Sequence, residues 1–239
     1  MMTELEDLKG SLAGGCPVCG GSEFSYQEVL WPELIAEWQL NPAEAKYINL
    51  QQGFHCRGCE ANLRAMTLAH ALSRFRRWPG TLLGWVASED ARAVKLLEVN
   101  EAFNLGRHWQ NLPGRQFVRY PETDMHALPF ADETFDLVVH SDTLEHVENP
   151  VHALEECRRV LKPDGALGFT VPIVVGRLTR SRSGLPPSYH GREGDHLEDH
   201  RVASEFGADV WTALFEAGFR HTTLVSLIYP ASVAILAER

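Results

Sequence analysis

The sequence predicts an α/β protein in which a mostly parallel sheet follows a small cysteine-rich module. From about residue 93 to residue 172, short apolar runs alternate with segments of helical periodicity, as in consecutive β-α-β units. Four of the five cysteines lie within the first 92 residues as two CxxC pairs. We therefore predict two domains, residues 1–92 and residues 93–239, with a lid loop at residues 173–203 of the second.

The second domain contains apolar runs of strand length. They fall at residues 94–99, 116–120, 135–140, 166–171, 224–229 and 231–236. Asn149 and Pro150 begin a predicted helix, and residues 162–165 are expected to end it in a turn. A further helix is predicted to begin at Ser204 and to stop at Gly218.

Helix signals also occur in the first domain. A helix is predicted over residues 32–39, where Trp31, just before it, shares one apolar face with Leu34, Ile35 and Trp38. Asn41 is a predicted N-cap, with Pro42 at the first helical position. A third helix is predicted over residues 60–75.

The charge balance restricts the classes of partner. The chain has 22 Lys and Arg against 32 Asp and Glu, a net charge of −10. This disfavours a general nucleic-acid-binding protein, which needs a basic face to replace phosphate counterions. Arg64 with residues 74–77 forms the candidate basic patch that the sequence offers.

Other features of the sequence concern the compartment. No apolar run reaches membrane-spanning length, and residues 1–9 are acidic and polar, unlike a secretory signal. We therefore expect a cytoplasmic protein without a membrane partner, whose thiols stay reduced. The oligomeric state stays open.

The two CxxC pairs predict a structural zinc site. Its ligands would be Cys16, Cys19, Cys56 and Cys59. Two residues between thiolates let both sulfurs reach one tetrahedral ion, and Gly20 and Gly58 are expected to ease the turns. The 36 residues between the pairs exceed the about 15–20 of a compact finger, which indicates a helical insertion. Cys157, inside a predicted helix, is interpreted as a buried apolar residue.

Several short motifs follow one another in the second domain. They are DMHALPF at residues 124–130, FDLVV at 135–139, LEHV at 144–147, RVLKPDG at 159–165 and AGF at 217–219. In this order and spacing they resemble class I S-adenosylmethionine-dependent methyltransferases of the type 11 kind. The resemblance covers about residues 93–236. It implies a Rossmann-like, mostly parallel sheet of the seven-stranded type, with S-adenosyl-L-methionine as cofactor.

The loop after the first strand departs from that family. Family members have a glycine-rich loop there, whereas residues 98–106 read EVNEAFNLG and keep only Glu98 and Gly106 of the pattern. A subset with an N-terminal cysteine module, often found near glycosyltransferases, replaces the glycines with a Pro-Glu type of turn, and Asn100-Glu101 resembles that turn. Its other matches here are VPI at residues 171–173, DH at 195–196 and FG at 206–207.

Ligands of open parallel sheets bind beyond the carboxyl ends of the strands. Asp124 is expected to accept a hydrogen bond from the adenine amino group, and Met125 to pack on the ring. Either Glu101 or Glu122 would hold the ribose hydroxyls, because a carboxylate accepts two hydrogen bonds. The full predicted cofactor set is Glu98, Asn100, Glu101, Ala102, Phe103, Glu122, Asp124, Met125, His140, Ser141 and Asp142.

Histidines near the predicted crevice are candidates for a general base, since the imidazole pKa lies near working pH. They are His146, His196 and His140, and the lid loop adds arginines that could meet an anionic group of an acceptor.

Three functions are consistent with these patterns. The first is methyl transfer to a small-molecule or sugar-type acceptor, which the acidic charge favours over nucleic acid. The second is a nucleic-acid or protein methyltransferase that uses the zinc module as recognition arm. The third is a non-catalytic, methyltransferase-like binding subunit, which the glycine-poor loop favours.

Overall fold

The computed structural model describes residue 10 and residues 12–189 and 200–239. Its chain divides into two compact units. One contains the residues up to Arg92 together with Phe103–Leu112 and Leu224–Ala234. The other contains Ala93–Ala102, Pro113–Thr223 and Ile235–Arg239. The first break falls where the sequence predicts a boundary, but two later segments group with the N-terminal unit.

The N-terminal unit is mainly helical. Its elements are β1 (Phe24–Tyr26), α1 (Pro32–Glu37), α2 (Pro42–Gly53), β2 (Phe54–Cys56), α3 (Leu63–Phe75) and α4 (Leu82–Val86). Asn41 and Glu44 form a capping box at the start of α2, in which each side chain accepts from the other residue's backbone N–H at 3.0 Å. The predicted cap at Asn41 is therefore confirmed.

The third helix begins later than predicted. Glu60 has a φ of +58°, which is incompatible with a helix, and the helix starts after Asn62. The Asn62 side chain accepts from the Ala65 N–H at 2.9 Å and so acts as the N-cap.

The second unit is built on a six-stranded sheet. Its strands are β3 (Leu96–Val99), β4 (Arg115–Val118), β5 (Phe135–Ser141), β6 (Leu161–Thr170), β10 (His221–Val225) and β11 (Ala234–Glu238). The strand order is β10-β11-β6-β5-β3-β4. β3, β4, β5 and β6 pair in parallel, and β11 is antiparallel to β6. The predicted α/β class with a mostly parallel sheet is thus confirmed.

The sheet differs in detail from the seven-stranded type. Residues 119–134 are all described and contain no strand, so β4 forms the edge where another strand would lie. The short connection from β4 to β5 leaves no room for a further strand and its crossover, since a parallel crossover needs a dozen or more residues. These residues instead form loop at the carboxyl ends of the strands.

Residues 162–165, which follow α7 (Pro150–Val160) and lie inside β6, do not form the predicted turn. Leu161 pairs with Phe135, and the next pair is Leu137 with Ala166, so residues 162–165 bulge out of a strand that has already begun. Pro163 and Gly165 weaken regular pairing, which explains why the sequence pattern resembles a turn.

The predicted helix start at Ser204 is wrong. Ser204–Gly207 forms β9, which lies between β7 (Ile173–Val174) and β8 (Arg180–Ser181) in a small three-stranded sheet. A Cβ at Gly207 would come within 2.2 Å of the Arg177 carbonyl oxygen, so this pairing requires glycine. The helix, α8, runs instead over Trp211–Glu216 and ends before Gly218, whose φ is +86°.

Two short helices complete the described elements, α5 (Glu89–Ala93) and α6 (Gly106–Trp109). Single 3-10 turns occur at Phe103–Leu105 and Leu144–His146. Within the described ranges, no helix is both long and apolar enough to span a bilayer.

Candidate metal centre and cofactor crevice

Four cysteine sulfurs converge in the N-terminal unit. The ligand atoms of Cys16, Cys19, Cys56 and Cys59 all lie within 4.8 Å of one another. The Cys16–Cys59 and Cys19–Cys56 sulfurs are 3.7 Å and 3.6 Å apart. A tetrahedral zinc ion with Zn–S bonds of about 2.3 Å requires sulfurs about 3.8 Å apart. The four residues therefore fit a structural zinc site.

The two CxxC turns have the same backbone construction. The carbonyl of Cys16 accepts from the Gly20 N–H at 2.7 Å, and that of Cys56 accepts from the Glu60 N–H at 2.8 Å. The residue after the second cysteine has a positive φ in both turns, +81° at Gly20 and +58° at Glu60. Gly20 thus has its predicted role, whereas Glu60 rather than Gly58 adopts the left-handed conformation in the second turn.

The antiparallel β1–β2 pair closes the long gap between the turns. β1 follows the first CxxC pair and β2 ends on Cys56, which lies opposite Phe24. Stacking of Phe24 on Phe54, with ring centroids 5.2 Å apart, supports the pair. The helices α1 and α2 form the predicted insertion.

Proton sharing couples the cysteine thiols. Hydrogen bonding to Cys59 and burial raise the pKa of the Cys16 thiol. The same hydrogen bond lowers the pKa of the Cys59 thiol. A thiolate in a buried cluster is stabilised by a bound cation.

The second unit has a cavity of about 720 Å³ at the carboxyl ends of β3, β4 and β5, which we call the cofactor crevice. The chain runs from β3 to β4 on one side and then to β5 on the other side of β3, so this is a topological switch point. The lining residues are Val99, Asn100, Glu101, Arg119, Tyr120, Pro121, Glu122, Thr123, Asp124, Met125, His126, Asp142, Thr143, His146, Val147, Glu148, His200 and Arg201.

The cofactor loop, residues 98–102, forms its turn without glycine. Asn100 has a φ of +54°, a conformation that asparagine tolerates better than most residues. Its side chain accepts from the Tyr120 N–H at 3.0 Å and donates to the Thr143 hydroxyl at 3.3 Å. Asn100 therefore ties together the segments that follow all three strands.

Glu98 fixes this loop from inside. Its side chain is fully buried and lies 2.7 Å from the Arg115 guanidinium. Its other carboxylate oxygen accepts from the Ala102 N–H at 3.0 Å. Glu98 and Ala102 thus shape the loop and do not line the crevice.

Asp124 and His126 form a pair on the crevice wall. One oxygen of Asp124 accepts from both the backbone N–H and Nδ1 of His126, each at 2.8 Å. The Asn149 N–H donates to Nε2 of His126 at 3.3 Å, so the ring proton lies on Nδ1. The backbone hydrogen bond is the main cause that lowers the pKa of Asp124.

His146 also lines the crevice in a defined tautomer. Its Nδ1 lies 3.0 Å from the Arg201 carbonyl oxygen, which can only accept, so Nδ1 carries the proton. The basic nitrogen is then Nε2, which lies 3.9 Å from the buried Glu145 carboxylate.

The predicted site residues divide into two groups. Asn100, Glu101, Glu122, Asp124, Met125, Asp142 and His146 line the crevice. Glu98, Ala102, Phe103, His140 and Ser141 are not among the lining residues. His196 lies outside the described residues, as do His190, Arg192 and Asp195.

His140 and Ser141 are held inside the sheet. Ser141 is bonded to the Thr170 hydroxyl at 2.7 Å. His140 stacks on Phe169 with centroids 4.8 Å apart, and full burial lowers its pKa to about 3. Because its ring is fully buried beside Phe169, His140 does not line the crevice.

Sequence reasoning missed several lining residues, including Thr143, Arg119 and Tyr120. Their position directly after strand ends could have indicated them. His200 and Arg201, which also line the crevice, lie within the predicted lid loop at residues 173–203.

The predicted basic patch is not continuous. Arg64 is 1% exposed and donates to Gln51 at 2.8 Å. Arg76 is paired with Asp90 at 2.8 Å. Only Arg74 and Arg77 of this set are exposed.

Comparison with known proteins supplies the class. Residues 80–169 match the family described as Methyltransferase domain. They include β3, β4, β5 and most of β6, and therefore the strands that bound the crevice. The similarity to this family thus lies in the part of the chain that forms the crevice.

Named relatives match part of the chain. The malonyl-[acyl-carrier protein] O-methyltransferase of Halorhodospira halophila is 34% identical over 98 residues, 40% of this chain and 30% of the relative. The ubiquinone/menaquinone biosynthesis C-methyltransferase of Klebsiella pneumoniae is 37% identical over 86 residues, 34% of each chain. The chain spans about a third of the length of these curated relatives.

Among solved structures, a S-adenosylmethionine-dependent methyltransferase from Mesorhizobium loti is 15% identical. The match covers 68% of this chain and 97% of that one, with a TM-score of 0.40.

Proposed function

We propose that this protein transfers a methyl group from S-adenosyl-L-methionine to a small-molecule or sugar-type acceptor. The observation that carries the proposal is the crevice at the switch point of a methyltransferase-family sheet, lined by polar groups that follow β3, β4 and β5. Open α/β sheets bind nucleotide-like ligands at this position.

The lining residues suit the chemistry of the cofactor. Glu101 and Glu122 present carboxylates to the crevice, and either can accept hydrogen bonds from two ribose hydroxyls. Asp124 keeps one oxygen for an adenine amino group, because its other oxygen is bonded to His126. Met125 offers a polarizable side chain to an aromatic ring.

S-adenosyl-L-methionine supplies an electrophilic methyl group on a sulfonium. What the protein must add is alignment and, for an acceptor that carries a proton, a base. We assign the base to Nε2 of His146. The Arg201 carbonyl accepts the hydrogen bond from Nδ1, which leaves Nε2 as the nitrogen that can take a proton.

Charge supports a small acceptor. The net charge is −10, and in the candidate basic patch Arg64 is buried and Arg76 is paired with Asp90, so neither is available for phosphate contacts. The two relatives named above have small-molecule or carrier-bound acceptors in their names, which agrees with this class. We assign the cysteine cluster to a structural zinc ion, since four sulfurs leave no open coordination position.

The test is calorimetric titration of the full chain with S-adenosylhomocysteine. We expect micromolar binding by the wild-type protein and by Asp164→Ala, which removes an exposed carboxylate in the β6 bulge. Asp124→Ala should bind about 10–100-fold more weakly, because a hydrogen bond to a charged group contributes about 1.5–3 kcal/mol. Absence of binding by the wild-type protein at millimolar ligand would contradict the proposal.

A further inference from the structure

The zinc-binding unit contains a segment from the middle of the methyltransferase sequence. Phe103–Leu112 groups with the N-terminal unit, although the residues before and after it belong to the sheet unit. Leu105 and Trp109 of this segment are fully buried. Residues 80–169, which match the methyltransferase family, thus include a piece of the metal-bearing unit.

This segment is hydrogen-bonded to the backbone of Cys59, a predicted zinc ligand. The backbone carbonyl of Cys59 accepts from the Asn104 side-chain amide at 3.0 Å. The same carbonyl accepts from the Arg107 guanidinium. Arg107 also forms a salt bridge of 2.9 Å with Glu60. Glu60 is the residue with a positive φ that completes the second CxxC turn. All three contacts therefore depend on the shape of the metal-binding turn.

The residue before this segment is the last of the cofactor loop. Ala102 is fully buried, and its N–H donates to Glu98 at 3.0 Å. Phe103 follows with a φ of +48°, a strained conformation for an aromatic residue. Such a backbone persists only where its surroundings hold it. Glu98 holds it before Phe103, and the zinc-binding turn holds it after Phe103.

We infer that Asn104 and Arg107 are positioning residues, which hold the end of the cofactor loop against the zinc-binding turn. The loop therefore keeps its ligand-binding shape only when the metal is bound. The inference rests on the proposed function, since it assigns the loop to the cofactor. It gives the metal a role in cofactor affinity, and the test separates that role from folding.

The first experiment measures hydrogen–deuterium exchange of the full chain before and after zinc is removed with a chelator. We expect faster exchange of residues 98–109 without zinc, including the Ala102 amide. Residues 135–141 of β5 should keep their protection, which shows that the sheet unit stays folded. Unchanged exchange at residues 98–102 after zinc removal would overturn the inference, whether or not the protein binds cofactor.

The second experiment uses the variant Asn104→Ala/Arg107→Ala, which keeps all four cysteines. Its matched control is Arg92→Ala, which removes a 65% exposed arginine whose carboxylate partner lies 3.9 Å away. We expect about one zinc per chain in both proteins. S-adenosylhomocysteine should bind at least about fivefold more weakly to the double variant only, the lower end of typical couplings between sites.

The decisive comparison is the effect of zinc removal in each protein. Removal of zinc should weaken the binding of S-adenosylhomocysteine by the wild-type chain and by Arg92→Ala. It should weaken binding by the double variant little further, because that variant already lacks the side chains that connect the loop to the zinc-binding turn. Wild-type affinity in the zinc-loaded double variant would overturn the inference. If the zinc-loaded wild-type chain binds no ligand, the proposed function fails, and the exchange experiment still decides whether zinc holds the loop.

Discussion

Replacing His140 with leucine is expected to stabilise the protein, and to do so more at pH 5 than at pH 8. The His140 side chain is fully buried. Neither ring nitrogen has a hydrogen-bond partner among the residues that the structure describes. A buried polar atom without a hydrogen bond lowers the free energy of unfolding by about 1–3 kcal/mol. Imperfect packing of a hydrophobic side chain of similar volume lowers it by less than about 1.5 kcal/mol.

The pH dependence follows from the difference between the folded and unfolded imidazole. Burial lowers the pKa of folded His140 from 6.5 to about 3. Between these values the unfolded chain binds the proton and the folded chain does not. The free energy of unfolding therefore falls as the pH drops below 6.5, by about 1.4 kcal/mol for each unit. At pH 5 the loss amounts to about 2 kcal/mol, and at pH 8 it is absent.

Urea unfolding of both proteins at the two pH values measures this loss. The stabilisation by His140→Leu should be about 2 kcal/mol larger at pH 5 than at pH 8. Other titrating groups, including the cysteines, cancel because they are common to both proteins. His221→Leu, at an exposed position of β10, serves as the control for replacing a histidine outside the core.

An increment below about 0.5 kcal/mol would refute the reasoning, because it would mean that His140 titrates alike in the folded and unfolded chains. In that case the folded ring must have access to water or to a partner, and the assignment of His140 to the interior of the sheet would be wrong.

Three further predictions concern the metal, the cofactor loop and the base. Cys56→Ser should lose the zinc and unfold the N-terminal unit, measured by metal analysis and circular dichroism, whereas Cys157→Ala should keep about one zinc per chain. Asn100→Ala should be about 1 kcal/mol less stable than Asn100→Gly in urea unfolding. Both variants lose the side-chain hydrogen bonds, but only alanine is strained at a φ of +54°. Equal stability of the two variants would contradict a positive φ at residue 100. His146→Ala should lower kcat by about 10²–10⁴-fold once an acceptor is known, with unchanged affinity for S-adenosylhomocysteine; an unchanged kcat would exclude His146 as the base.

Local signals in the sequence were sufficient for several elements. The cap at Asn41, the Pro42 helix start and the run of β5 each depend on interactions within a few residues, and the structure has them close to the predicted positions. The CxxC spacing likewise predicts that two sulfurs of each turn point the same way. Pairing of the two turns required β1 and β2, which are too short to be predicted with confidence from three residues each.

Other features required the tertiary structure because they depend on distant partners. Ser204–Gly207 reads as a helix start, yet β7 and β8 pair with it as a strand. The sequence predicts Glu98 as a cofactor ligand, but inside the protein its carboxylate forms a salt bridge with Arg115. His140 lies near the end of β5, close to the crevice in sequence, but the alternation of side chains along β5 and the packing against Phe169 keep it in the core.

The sequence by itself determined the class of the fold, the four clustered cysteines and the three strand ends at which the crevice lies. Periodicity, capping and ligand spacing are short-range properties, so they can be recognised in a single chain. Only the tertiary structure decided which of the predicted polar residues face the crevice, and that Phe103–Leu112 belongs to the N-terminal unit. Burial and long-range hydrogen bonds make these decisions, because each depends on residues far away in the sequence that meet only when the chain is folded.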